Sequence, residues 1–208
     1  VITTVLNDNG QAPRFLAAVR YRRPSATAAA VNIGALVAEV VTGSGLLSSG
    51  GVVGDDFQVW FAAGAASVDG VLDDLLGRTS SFGEWERGTF VGELAEDRAS
   101  AVPTEEPSAF RMFVAVDVPT ESLGDVDYWY AAEHTEWLLR TPTWRRVSRY
   151  TSVDVRATWS RLAVHELTSN DVMADPVVIA STVTPLRSAL AQNEWFLREG
   201  RPALPILN

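Results

Sequence analysis

The pattern of apolar and polar positions is clearest in the C-terminal half of the chain. Residues 110–118 (FRMFVAVDV) are rich in β-branched and aromatic side chains and stop at Pro119, which predicts a strand. Thr120-Glu121-Ser122 then supplies the hydroxyls and acid that open a helix, which runs to about Arg140 before Thr141-Pro142-Thr143 ends it. Two further extended runs, 144–153 and 158–168, are joined by a short turn around Asp154 and predict a hairpin. Ser169-Asn170-Asp171 caps a second helical region over 172–193. Within it Pro176 suits a first turn, whereas Pro185 should kink or split the element. A last extended segment, 195–204, completes a β-α-β-β-α-β series.

The first half follows the same order more loosely. Residues 14–22 are strand-like and stop short of Pro24, and an Ala-rich helix runs from Ser25 to about Val41, ended by Gly43-Ser44-Gly45. Residues 46–53 and 57–63 form a hairpin with its turn at Gly54-Asp55-Asp56. A helix over 67–76 carries Leu72, Leu75 and Leu76 on one side, and the fourth strand is placed within 98–102. Residues 1–6 read as an additional strand. Each such unit puts both helices on one face of an antiparallel sheet and leaves the other face bare. Two units in tandem solve this, because each sheet covers the other. The expected fold class is therefore α+β, with two tandem ferredoxin-like β-α-β-β-α-β units whose antiparallel sheets face each other in a barrel. The units are residues 1–104 and 105–208, with the boundary in the Pro-rich, acidic stretch 101–108.

Composition narrows the chemistry. Of 208 residues 47% are hydrophobic and 21% charged, enough for a sizeable core. The most apolar window, 28–41, is interrupted by Asn32 and Glu39, so no membrane span is expected. The opening Val1-Ile2-Thr3-Thr4 lacks the basic start and apolar core of a signal peptide. There is no cysteine, which removes disulfides, thiolate metal sites and a cysteine nucleophile, and fits a reducing, cytoplasmic setting. A net charge of -9 disfavours a nucleic-acid partner, and the cluster of Arg140, Arg145, Arg146 and Arg149 is balanced by nearby acids.

The densest set of chemically able residues is 128–137 (YWYAAEHTEW). On an α-helix Tyr130, His134 and Trp137 share a face, while Glu133 points about 100° away from His134. The only other histidine, His165, lies in the strand-like run RLAVHEL, where alternation groups it with Ala163 and Leu167. If that face is the helix side, His134 and His165 converge on one pocket. Histidine is the natural acid/base near neutral pH, so the candidate catalytic residues are His134, Tyr130 and His165. Trp129, Trp137, Trp144, Arg146 and Tyr150 are the candidate substrate-binding residues. The plain alternative is that the histidines are packed core residues and the tryptophans core or pocket wall. Phosphate-loop, nucleophile-elbow and flavin or nicotinamide fingerprints are absent, and two histidines without HxxxH or HxH spacing make a metal site weak. No cofactor and no metal are expected.

The run Trp129-Tyr130-Ala131-Ala132-Glu133-His134, followed by Leu138-Leu139, Pro142, Trp144 and Arg149-Tyr150, resembles the EthD-like members of the dimeric α/β-barrel superfamily. There a W-Y-x-x-E-H helix precedes a leucine pair, a P-G-W-like turn and an R-R-Y-like strand; 162–167 is similar to the strand that follows. The resemblance covers 110–167, and the first half only through element order and Glu84-Trp85-Glu86-Arg87. It implies a ferredoxin-like fold and cofactor-free acid/base chemistry, with His134 as the acid/base and Tyr130 and His165 in support. The first half departs from the pattern, having no E-H on its corresponding helix, so one active pocket is expected, with the first unit as scaffold or lid.

The expected function is cofactor-independent cyclisation, isomerisation, dehydration or decarboxylation of a small aromatic or polyketide-like metabolite. The alternatives are a cofactor-free monooxygenase of the same superfamily and a non-catalytic binding or scaffold protein. The expected partner is a small-molecule substrate, with neither nucleic acid nor membrane, and a homodimer is the assembly to consider.

Overall fold

The computed structural model describes residues 11–28, 32–41, 46–53, 55–65, 67–102, 106–197 and 204–205. The first half contributes β1 (Phe15–Pro24), α1 (Ser25–Ala28), α2 (Ile33–Val41), β2 (Leu47–Val53), β3 (Asp56–Ala65), α3 (Val71–Arg78) and β4 (Glu86–Ala99). The second contributes β5 (Phe110–Val116), α4 (Leu123–Trp129), α5 (Thr135–Leu138), β6 (Trp144–Ser152), β7 (Arg161–Leu167), α6 (Pro176–Ser181), α7 (Pro185–Leu190), α8 (Glu194–Leu197) and β8 (Leu204–Pro205). A π-helical turn, Tyr130–His134, joins α4 to α5.

All strand pairs are antiparallel, and the order across the sheet is β2-β3-β1-β4-β6-β7-β5-β8. Each half repeats the ferredoxin-like order, and the two halves join where β4 pairs with β6. At the far ends β2 comes against β8, and Arg111 on β5 reaches the Ser48 carbonyl on β2 at 3.5 Å, so the sheet curls into a barrel. Strand alternation decides what faces where. Leu16, Trp60, Phe90, Phe113, Tyr150, Leu162 and Val164 fill the interior shared by both halves. Ala17, Val19, Tyr21 and Phe61 pack instead against the helices of the first half, and Met112, Val114, Val147 and Ala163 against those of the second.

Several boundaries differ from the sequence reading. The fourth strand of the first half spans Glu86–Ala99 rather than 98–102. Its charged stretch reads as loop in sequence, but opposite charges meet it from Arg14, just ahead of β1, to Glu93, and from β6 through Arg149 to Glu96 and Arg146 to Asp97. The expected extended segment 195–204 begins as helix α8, because Phe196 turns inward edge-on to Trp129 at 5.3 Å. Pro185 splits the second helical region by standing at the start of α7, where its missing N–H costs nothing. The Ala-rich helix is two pieces, α1 and α2. Residues 1–6 and part of the expected boundary, 103–105, lie outside the described residues. Among the described residues no helix is long and apolar enough to cross a membrane.

A β-bulge at Ala95 shapes the junction. The register runs Leu94↔Tyr150 and then Glu96↔Arg149, so β4 changes parity within one step. Glu96 thereby faces the helices with Arg149, while Asp97 faces the interior with Arg146 and accepts a 2.9 Å hydrogen bond from Ser148 Oγ.

Burial, with Asp97 acting in the same sense, holds the Tyr150 phenol well above its ordinary value of 10.0. Burial also raises Tyr21, whose hydroxyl shares a 2.7 Å hydrogen bond with Thr79. In the unfolded chain both phenols lose their protons near their ordinary pKa, so the unfolded state binds fewer protons above it and stability falls as pH rises. Urea titrations should show the midpoint dropping above about pH 10, with a shallower drop in Tyr150→Phe. A slope unchanged in that variant would remove Tyr150 from the account. Gly88 lies directly beneath the Trp159 ring, so Gly88→Ala should force that buried ring aside and cost about 1–3 kcal/mol in denaturant unfolding.

Candidate active site

The site forms between the helices of the second half and the outer face of β5, β6 and β7. His165 sits on β7 with Ala163 and Leu167, and the latter two pack in the helix-side core. Its face is therefore the one toward His134, and the two rings stand 6.4 Å apart. Trp144 reaches the same face through a second bulge, at Arg145: Trp144 pairs with Leu167, but Arg146 pairs with Glu166. Regular alternation would have put Trp144 and Arg146 together.

The indole Nε1–H of Trp144 donates to His165 Nδ1 at 3.1 Å. An indole N–H can only donate, so Nδ1 accepts and the neutral imidazole carries its proton on Nε2. His165 is wholly buried, and Trp144 sets both its tautomer and its orientation.

His134 ends the π-helical turn. Its ring stacks on Trp129 at 4.2 Å with an interplanar angle of 24°, and stands edge-on to Tyr130 at 5.1 Å. The turn also changes which residues share its face. A π-turn advances by roughly 80° per residue against 100° in an α-helix, so one such turn lets later side chains slip backward around the axis. Leu138 swings into line with Tyr130 and His134, and Trp137 swings out. Trp137 is half-buried and carries the Arg140 guanidinium over its ring at 4.6 Å, away from the cavity.

A cavity of about 120 Å³ lies beside His134, and His165 and Trp137 are not among the residues that line it. Trp129, Tyr130, His134 and Trp144 come together there with Met112, Val114, Leu138, Val178, Ser181, Thr182 and Arg187. Of the sequence candidates, Arg146 and Tyr150 lie on the opposite face of β6, in the barrel interior, with Arg146 paired to Asp97. Arg149 is buried and bridges Glu96 and Asp127 at 2.8 Å each while lying 4.4 Å over the Tyr130 ring. Arg161 also grips Asp127, so both arginines tie the start of the catalytic-candidate helix to the sheet. Sequence reasoning missed Met112 and Val114, which β5 alternation could have supplied. It also missed Ser181, Thr182 and Arg187, for which no local signal exists. Among the described residues no group of three His, Cys, Asp or Glu is placed to hold a metal.

No family model matches the chain, and no characterised protein matches it in sequence. Solved structures do match in shape. A mutant chlorite dismutase from Candidatus Nitrospira defluvii in complex with cyanide aligns with a TM-score of 0.59 at 11% identity, over 93% of this chain and 91% of that one. The fold is the dimeric α/β barrel. An anthrone oxidase-like protein aligns with a TM-score of 0.57 at 11% identity, over 94% and 92% of the two chains. A presumptive monooxygenase from Fusobacterium nucleatum aligns at 0.54 and 7% identity, over 93% and 92%. Identities this low establish shared architecture alone.

Replacing Trp144 by Phe leaves His165 Nδ1 buried without its donor. Trp144→Phe should cost about 1–3 kcal/mol of stability in urea unfolding. In a His165→Leu background the same change should cost markedly less, because no acceptor is then stranded; equal costs in both backgrounds would reject the hydrogen bond as the cause.

Proposed function

We propose that the chain is a cofactor-independent enzyme acting by acid/base chemistry on a small aromatic or polyketide-like metabolite, with His134 as the base. The observation that carries this reading is the His134 ring on the wall of an aromatic cavity, held by Trp129 and Tyr130 and backed by His165. Tyr130 and His165 are supporting groups, and Trp129 and Trp144 are the walls that receive the substrate. The resemblance of the W-Y-x-x-E-H run to EthD-like proteins supports the same assignment. The unit formed by residues 1–104 acts as scaffold, consistent with its lack of an E-H pair.

Among reactions open to such a base, oxygenation of a carbon acid is favoured over cyclisation, isomerisation, dehydration and decarboxylation, because an anthrone oxidase-like protein and a presumptive monooxygenase share the fold. His134 takes a proton from a carbon whose carbanion is delocalised into a ring carbonyl. The resulting imidazolium lies against the Trp129 face, a favourable cation–π contact. The carbanion passes one electron to dioxygen and the two radicals join through a new C–O bond. The peroxide recovers the proton from His134. Loss of the second C–H proton with cleavage of the O–O bond then leaves a ketone and water. For anthrone the balance is anthrone plus dioxygen to anthraquinone plus water.

Anthrone serves as the test carbon acid, with dioxygen uptake and anthraquinone absorbance read together. His134→Ala should lower the rate by about 10²–10⁴-fold. Undiminished uptake in that variant rejects His134 as the base. Exchange of the acidic anthrone protons that depends on His134, without dioxygen uptake, would instead favour proton transfer over oxygenation.

A further inference from the structure

The cavity wall is unbalanced in charge. Its lining contains no Asp or Glu, yet it contains Arg187. Most described arginines reach a carboxylate within 4 Å, as Arg14, Arg22, Arg146 and Arg161 do. Arg187 reaches none among the described residues, and its guanidinium lies 5.7 Å from the centroid of the Phe196 ring. The hydroxyls of Ser181 and Thr182 are occupied, each donating at 2.7 Å to a carbonyl three residues earlier. The wall therefore offers one full positive charge and no carboxylate to answer it.

We propose that Arg187 is a specificity-determining residue that reads a carboxylate on an aromatic substrate, so that the cavity selects aromatic acids over their neutral counterparts. The inference rests on the reading above only in taking this cavity as the substrate site. A planar guanidinium matches a carboxylate through two parallel hydrogen bonds, and the Phe196 face beside it limits how far the charge can wander. A cavity of about 120 Å³ takes one aromatic ring of a substrate, since engineered apolar cavities of about 150 Å³ take up benzene, and the remainder of a larger substrate lies outward past exposed Thr182. Thr182 is exposed at this wall, so the acidic end lies toward solvent beside Arg187, with the ring inward against Trp129 and His134.

Benzoate and benzamide are nearly equal in size and differ in charge, and Trp129 and Trp144 on the wall report their binding by fluorescence. Benzoate should bind about ten-fold more tightly than benzamide. Arg187→Gln should erase that preference, Arg187→Lys should keep only part of it, and His134→Gln should leave it in place. Near-UV circular dichroism checks that each variant keeps its aromatic packing. Equal binding of the two probes, binding of neither, or a preference that follows His134 instead of Arg187 overturns the assignment. Turnover that depends on His134 alongside equal probe binding removes the carboxylate site alone. A preference carried by Arg187 in a protein whose turnover ignores His134 removes the base alone.

Discussion

Trp60 on β3 and Phe113 on β5 stack at 4.9 Å with their planes 3° apart, and they come from opposite halves of the chain. Trp159 leans on the same tryptophan at 5.3 Å. This contact stands for the constraint that organises the molecule: a four-stranded sheet with helices on one side has an apolar second side that water must not reach. Each half is the other's cover, so neither sheet is complete alone. The requirement pushes both helical layers outward and makes the β4–β6 junction a true interior seam. Charges at that seam are tolerated only as close pairs, and the chain has no lysine, so these cations are arginines, whose planar fork suits such pairing.

The candidate site is then built from departures from regularity. The bulge at Arg145 sends Trp144 to the helix side and Arg146 to the interior. The bulge at Ala95 decides which face Glu96 and Asp97 each take, so Arg149 and Arg146 each meet an acid on their own side. The π-helical turn brings Leu138 to the cavity and turns Trp137 away. Bulges and π-turns forgo regular hydrogen bonds and tend to occur where a side chain must be re-aimed. Here all three act within the span that carries the two histidines, or on the strand next to it.

The halves share topology but not contents. In the first, the space between helices and sheet is filled by Tyr21, Phe61, Phe82 and Trp85, with Phe82 within 5.3 Å of each neighbour. In the second, splitting of the last helical region into α6, α7 and α8 leaves the cavity beside His134 and sets Arg187 on its wall. Duplication of a fold thus allows the two copies to fill the space between helices and sheet differently.

Much of this was legible in the residues themselves. Alternation over 161–167 placed Ala163, His165 and Leu167 together, and the need to cover two bare sheet faces led to the paired-unit barrel. Pro185 marked the break that it makes. Such features depend on local periodicity and on backbone groups that each residue does or does not possess. The strand Glu86–Ala99 was not legible, because charges that look like loop in isolation are neutralised by arginines 53 and 79 positions away. Nor was the division of Trp144 from Arg146, the exit of Trp137, or the arrival of Arg187 at the cavity. A one-residue bulge or a single wide turn reverses which face a side chain takes, and its stability comes from partners distant in the chain. Local sequence set the kind and order of elements; only tertiary packing decided which side chains meet, because facing is fixed by a register that no single segment contains.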